Sequence, residues 1–189
     1  EQWKICEEKL PFFIALMSRP DMIDLYELSS IKASMGCAAP VPVDVQKKWK
    51  EMTGIPLING WGMTETNSGG IISIPGIKEK DDAIGIPVYS EVKITDAEGN
   101  IVARDVEGEI CYRGLQVAAG YLNKAKETEA AFLPDGWLRT GDRGFIDKND
   151  FVHFNLDEDF LYANSGIINI LIEDTAINTY KLWFDTKTS

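Results

Sequence analysis

The chain has 189 residues, 44% hydrophobic and 26% charged, a balance that suits one globular domain or two small ones and argues against intrinsic disorder. Its formal net charge of -11 argues against nucleic acid or an anionic membrane surface as a partner, because either would be repelled at long range. Cys6, Cys37 and Cys111 are far apart and form no Cys-x-x-Cys pair, so neither a zinc site nor a disulfide framework is indicated, and a reducing, cytoplasmic location fits.

In chain order, the opening segment to Ser18 has apolar residues at helical spacing and is expected to be a helix. Its run Leu10 to Met17 is too short and too Pro-broken to span a bilayer, so no transmembrane segment is expected. No signal peptide precedes the run, and the first residue is not Met, which points to a start inside a longer polypeptide, although a trimmed or disordered start would read the same. Arg19-Pro20-Asp21 stops the helix and starts a short new one. Ser29 to Met35 alternates like a strand and runs into Gly36-Cys37-Ala38-Ala39-Pro40, either a ligand loop at a strand end or a tight turn before the next helix. Val41 to Thr53 reads as an amphipathic helix with Val41, Val45, Trp49 and Met52 on its core face. A strand, helix, strand order through Ile31 and Leu57 implies a parallel pair, with the loops at Gly36 and Gly60 side by side.

The most informative loop is Asn59-Gly60-Trp61-Gly62-Met63-Thr64-Glu65-Thr66, which follows a short apolar run. Gly60 and Gly62 bracket an aromatic ring and allow close backbone approach to a flat ligand. Trp61 can stack on an adenine, Thr64 can donate to a phosphate oxygen, and Glu65 is the hard oxygen ligand that a phosphate-bound Mg²⁺ accepts. A polar turn with a half-buried Trp fits the spacing equally well. Ile71 to Ile77 is apolar but punctuated by Pro75 and Gly76, and reads as a loop on the substrate side.

Beyond the charged run Lys78 to Asp82, short β-branched segments at Ile84 to Val88, Glu91 to Thr95 and Gly108 to Arg113, with a turn at Asp96 to Asn100, point to an antiparallel sheet or small barrel. Asn123 is placed to cap a helix from Lys124 to Ala131. Asp142, after Thr140-Gly141, is expected at a strand end, where its carboxylate either accepts from two ribose hydroxyls or closes a turn. His153, the only histidine, falls on an expected strand and reads as structural. The fold class is therefore α/β, part of a parallel α/β sheet layer followed by an antiparallel, barrel-like β subdomain. Residues 1–80, 81–155 and 156–189 are its expected divisions.

Gly-Trp-Gly-Met-Thr-Glu-Thr resembles the Gly-Tyr-Gly-Met-Thr-Glu-Thr loop of the adenylate-forming superfamily, which includes acyl-CoA synthetases, luciferases and the adenylation domains of peptide synthetases. Gly-Glu-Ile-Cys-Tyr-Arg-Gly, Gly-Tyr-Leu-Asn and Gly-Trp-Leu-Arg-Thr-Gly-Asp resemble further motifs of that family in order, and the register runs from about Leu28 to about Phe154. The wording is most like fatty-acyl-CoA synthetases. The resemblance implies ATP-dependent conversion of a carboxylic acid to an acyl-adenylate, then a thioester with coenzyme A. It implies nucleotide binding by Gly36, Cys37, Ala38, Asn59, Gly60, Trp61, Gly62, Met63, Thr64 and Asp142. Asn59 would face the exocyclic amine, Asp142 the ribose and Thr64 the phosphate, with Glu65 on Mg²⁺ and Thr64 and Glu65 as the catalytic pair. The implied ligands are ATP or AMP, Mg²⁺ and coenzyme A, whose acceptor site lies mostly outside this stretch.

The sequence departs from the family at Leu156-Asp157-Glu158-Asp159-Phe160, where the hinge pattern has basic residues at the positions of Asp157 and Glu158. The family's phosphate-holding loop with its lysine and its catalytic lysine find no match, so these residues alone are expected to give little adenylation. The leading expectation is a segment of an AMP-forming acyl-CoA synthetase acting on a small-molecule carboxylic acid. The alternative is a non-catalytic, truncated AMP- or acyl-adenylate-binding protein, and homo-oligomerisation stays open.

Overall fold

The computed structural model describes residues 4–23, 25, 28–37, 41–76, 78 and 80–154. The chain parts into two compact units, the first ending at Leu57 and the second running from Ile58 to Asn155. Ala38 and the expected hinge and tail, 156–189, lie outside the described residues.

In the first unit, strand β1 (Lys4–Lys9) precedes helix α1 (Leu10–Met17) and the short helix α2 (Pro20–Ile23). The expected opening helix is thus only half present. Lys4–Lys9 pairs in parallel with β2 (Ile31–Cys37), and the ladder satisfies backbone groups that a helix would have paired internally. Tertiary pairing overrides weak helical spacing here. Pro11 is tolerated because it sits in the first turn of α1, where no intrahelical N–H bond is lost.

Helix α3 (Val43–Thr53) starts two residues later than its spacing suggests, because Pro42 stands as its extended N-cap. Gly54 ends it, donating its N–H to the Lys50 carbonyl at 2.8 Å. Val41, Val45 and Trp49 join Leu10, Phe13, Met17 and Leu57 in one apolar cluster, with Met52 packed against it. Phe13 meets Trp49 edge to face at 5.0 Å, the geometry that aromatic quadrupoles favour. The Ser34 N–H reaches the Pro56 carbonyl at 2.8 Å, so β2 lies beside the run that leads into β3 (Leu57–Trp61).

In the second unit, β3 pairs antiparallel with β4 (Ile71–Ile72), which pairs with β5 (Ile86–Pro87). The expected substrate-side loop therefore begins as a strand. Ile71 is 1% exposed and opposite Trp61, and the turn that Pro75 and Gly76 impose comes only afterwards, closed between Ile74 and Lys78. Strands β6 (Ser90–Thr95), β7 (Gly108–Gly114), β8 (Leu138–Ile146) and β9 (Val152–Phe154) form a four-stranded antiparallel sheet in that order. The core of this unit gathers Trp61, Ile71, Ile84, Ile94, Ile110, Tyr112 and Val152.

Helix α4 (Ala125–Ala131) corrects another expectation. Its N-cap is Lys124, without a side-chain cap, while Asn123 takes a left-handed φ of 59° and turns the chain before the helix. Asn tolerates that region better than most residues, so its role is the turn rather than the cap. Among the described residues no helix is long and apolar enough to cross a membrane.

The charged run near Lys80 is tied to the β8–β9 turn by a buried polar cluster. Lys80 Nζ lies 2.9 Å from Asp147 Oδ2, and His153 Nε2 lies 3.1 Å from the same oxygen. Asp147 Oδ1 accepts the N–H groups of Asn149 and Phe151 at 2.8 and 2.9 Å. His153 also stacks on Phe145 at 4.5 Å, which confirms its structural place on β9. Burial by itself would raise the Asp147 carboxyl, but the bonds from Lys80, the two backbone amides and His153 hold it well below the usual carboxylate range.

Because that pKa is depressed in the fold, the stabilisation is present above the unfolded carboxyl's pKa and is lost as pH falls through the acid range below it. Asp147→Ala should lower the free energy of urea unfolding at pH 7 by about 3 kcal/mol, since it strands buried partners. The deficit should shrink as the wild type is titrated into acid.

Candidate functional site

Strand β3 delivers Asn59 and Trp61 to one face, because successive strand residues alternate. Past its end the chain closes into a 3₁₀ turn, Thr64–Thr66. Thr66 is fully buried and makes the closure: its hydroxyl accepts the Met63 N–H at 3.0 Å, and its own N–H reaches the Met63 carbonyl at 3.0 Å. Gly62 is required by space as well as by the turn. A Cβ there would lie 1.4 Å from the Ser68 carbonyl oxygen. The loop thus folds back on itself and leaves Thr64 exposed and Glu65 half-buried.

Asp142 arrives from β8, and not from a strand end as its spacing suggests. Between β7 and β8 the register jumps: Cys111 faces Arg139 but Glu109 faces Arg143, so Thr140, Gly141 and Asp142 together span the place of Ile110. This is a bulge, a device that bends a strand and re-aims a side chain. Gly141 takes a φ of 78°, which favours glycine. The Thr140 hydroxyl donates to the Ile110 carbonyl at 2.7 Å and accepts the Asp142 N–H at 3.1 Å. Glu109 Oε1 accepts the Gly141 N–H at 3.1 Å while its other oxygen takes two bonds from Arg139.

The bulge brings together the two most informative motifs of the sequence. The Trp61 indole N–H donates to Asp142 Oδ2 at 2.7 Å, across 81 residues of chain. Trp61 is 7% exposed and leans on Tyr112 with 5.5 Å between ring centroids. Burial raises the Asp142 carboxyl above its ordinary pKa, and the Trp61 bond only partly offsets this. A partly desolvated carboxylate with one oxygen committed presents its other oxygen to hydroxyl donors.

The remaining expected residues fall as follows. Asn59 is buried, and its amide N–H donates to the Ala83 carbonyl at 3.1 Å. Gly60 lies within β3 opposite Ile72, Met63 is half-buried, and Gly62 is exposed. Gly36 and Cys37 end β2 in the first unit, with Gly36 buried. Sequence reading missed Thr66, Glu109 and Tyr121. The Tyr121 hydroxyl donates to Glu65 Oε1 at 2.6 Å, and this bond, with burial second, raises the phenol's pKa.

Among the described residues no group of three or more His, Cys, Asp or Glu gathers as a metal site. Glu65, half-buried at the 3₁₀ turn, carries a carboxylate of the hard oxygen kind that a phosphate-bound Mg²⁺ accepts.

Comparison with known proteins gives a consistent result. The family profile described as AMP-binding enzyme matches residues 10–122. A long-chain-fatty-acid–CoA ligase of Bacillus subtilis (strain 168) is 37% identical over 148 residues, covering 75% of this chain and 25% of that protein. A 4-coumarate-CoA ligase 1 of Narcissus pseudonarcissus is 36% identical over 148 residues, covering 75% of this chain and 27% of its own. The chain thus spans about a quarter of the length of these curated relatives. Among solved structures, the O-succinylbenzoate coenzyme A synthetase of Bacillus subtilis in complex with ATP and magnesium ion is similar with a TM-score of 0.70 and 27% identity, over 80% of this chain and 31% of that one.

The raised Asp142 pKa means that its charged form costs stability at neutral pH, and that the cost vanishes as pH falls and the carboxyl is protonated. Asp142→Asn keeps an acceptor for the indole N–H and removes the charge. Thermal unfolding at pH 7 should therefore place its midpoint at or above the wild type's, with the difference closing in acid. A midpoint several degrees lower at pH 7 would contradict this account of Asp142.

Proposed function

Since this chain belongs to the AMP-binding enzyme family, we propose that its second unit carries the adenosine and phosphate side of an adenylate-forming site. The reaction is ATP-dependent activation of a carboxylic acid to an acyl-adenylate and pyrophosphate, followed by thioester formation with coenzyme A. The observation that carries this reading is the Trp61–Asp142 bond, which seats the ribose-facing carboxylate beside the glycine-rich loop.

In this arrangement Asp142 accepts from the ribose hydroxyls with the oxygen that Trp61 leaves uncommitted. Trp61 would form the aromatic wall for the adenine, and Asn59, whose amide N–H is held by the Ala83 carbonyl, would face the base. Gly60, Gly62 and Met63 line the loop backbone. Exposed Thr64 donates to a phosphate oxygen, and Glu65 supplies a carboxylate oxygen to Mg²⁺. Mg²⁺, when bound, neutralises phosphate charge.

The acid is a small-molecule carboxylic acid, with a fatty acid as the first candidate from the motif wording. The aromatic-acid ligase is nearly as similar as the fatty-acid one, so a substituted cinnamic acid is the second candidate to assay. These 189 residues are proposed to bind nucleotide without turning it over, in a reducing, cytoplasmic setting that the unpaired, buried Cys111 suits. The run Asp157-Glu158-Asp159, whose first two carboxylates stand where the family has basic residues, favours a second reading as a non-catalytic AMP- or acyl-adenylate-binding protein.

Calorimetric titration with AMP and with a non-hydrolysable acyl-adenylate analogue, in Mg²⁺, tests the site. Saturable binding is expected, weakened about tenfold or more by Asp142→Ala and by Trp61→Ala, in line with loss of a hydrogen bond to a charged group. Absence of heat from a demonstrably folded chain would overturn the proposal. ATP–pyrophosphate exchange above background would refute the expectation that these residues bind without turnover.

A further inference from the structure

The 3₁₀ turn that carries Glu65 is only three residues long, and a glutamate there has three side-chain torsions to fix. The segment between β7 and α4 fixes them from outside the turn. It is stapled to Glu65 twice: the Ala118 N–H donates to the Glu65 carbonyl at 2.8 Å, and the Tyr121 hydroxyl donates to Oε1 at 2.6 Å. A 2.6 Å O–H···O contact to a carboxylate is a charge-assisted bond, among the stronger kinds a side chain makes.

Tyr121 is itself held. Its N–H donates to the Thr128 hydroxyl at 2.9 Å, and its ring meets Phe132 edge to face at 5.3 Å. Thr128 belongs to α4 and Phe132 is the C-cap residue of that helix. A chain of contacts therefore runs from α4 through Tyr121 to one oxygen of Glu65, leaving Oε2 as the oxygen that can turn to a ligand. We propose that Tyr121 is a positioning residue for the metal-side carboxylate, holding Oε1 of Glu65 so that Oε2 meets the Mg²⁺ on the nucleotide's phosphates. The inference rests on the adenylate-forming reading above. It adds a residue that acts through Glu65 without touching nucleotide.

Partners that orient a metal-binding side chain typically change metal affinity by about 10–100-fold when lost. The test is titration of the full chain with AMP and with a non-hydrolysable ATP analogue, with and without Mg²⁺, for wild type, Tyr121→Phe and Thr128→Val. The readout is the ratio of analogue affinity with Mg²⁺ to that without. Tyr121→Phe should cut that ratio about tenfold while retaining the ring packed on Phe132, a split that general loosening of the fold would not produce. Thr128→Val, which loosens Tyr121 without touching its hydroxyl, should cut the ratio in the same direction and guards against a Tyr121→Phe chain that does not fold. An unchanged ratio in the folded variants, or equal weakening with and without Mg²⁺, would overturn the positioning role and leave the nucleotide site standing. A wild-type chain that binds AMP but gains nothing from Mg²⁺ would do the same. A folded wild type that binds no nucleotide would overturn both.

Discussion

The described site depends on one hydrogen bond, from the indole of Trp61 to the carboxylate of Asp142. It joins a strand near the start of the second unit to a strand near its end, and each side of the bond is prepared at some cost. On one side Trp61 is buried against Tyr112 and opposite Ile71, so its N–H has few other places to go. On the other, Asp142 reaches the indole only because β8 carries an irregular stretch that Thr140, Gly141 and Glu109 hold in shape. An unpaired indole N–H at that depth would cost about 1–3 kcal/mol, as buried donors do. The pairing and the core packing therefore support one another.

In the same stretch the proposed binding role of Asp142 runs against stability. A partly buried carboxylate whose pKa is raised is a poor choice for a fold and a useful one for a ligand, since hydroxyl groups replace the water it has lost. Asp147 shows the contrast within the same unit. It is also buried, but Lys80, His153 and two backbone amides surround it, and its pKa falls. A carboxylate supplied with donors by the fold is structural. One left partly short of them, beside a glycine-rich loop, is a candidate for binding.

The antiparallel strands and the amphipathic helix α3 were legible in the sequence because β-branched alternation and a helical apolar face are local signals. The loop from Asn59 to Thr66 and the aspartate at 142 were legible as separate motifs. Their contact was not, since the two motifs lie 81 residues apart and the register jump that aims Asp142 at the indole arises from pairing with β7, which neither motif encodes. Lys4–Lys9 was misread as helix because its strand character comes from pairing with β2 and not from its own residues. Ile71–Ile72 was hidden by Pro75 and Gly76, which punctuate the chain just after the strand has ended. Tyr121 stood in a motif that the sequence reading quoted, yet its bond to Glu65 follows from the loop's path and could not be read from spacing.

The most direct test is the indole N–H resonance of Trp61 in proton–nitrogen spectra, identified by its absence from Trp61→Phe and followed as AMP is added. A buried, bonded indole should exchange slowly with solvent, shift when AMP occupies the other oxygen of Asp142, and move to a different position in Asp142→Ala. A Trp61 indole that exchanges as fast as an exposed one, or that stays in place while AMP saturates the chain, would contradict a site organised around this bond.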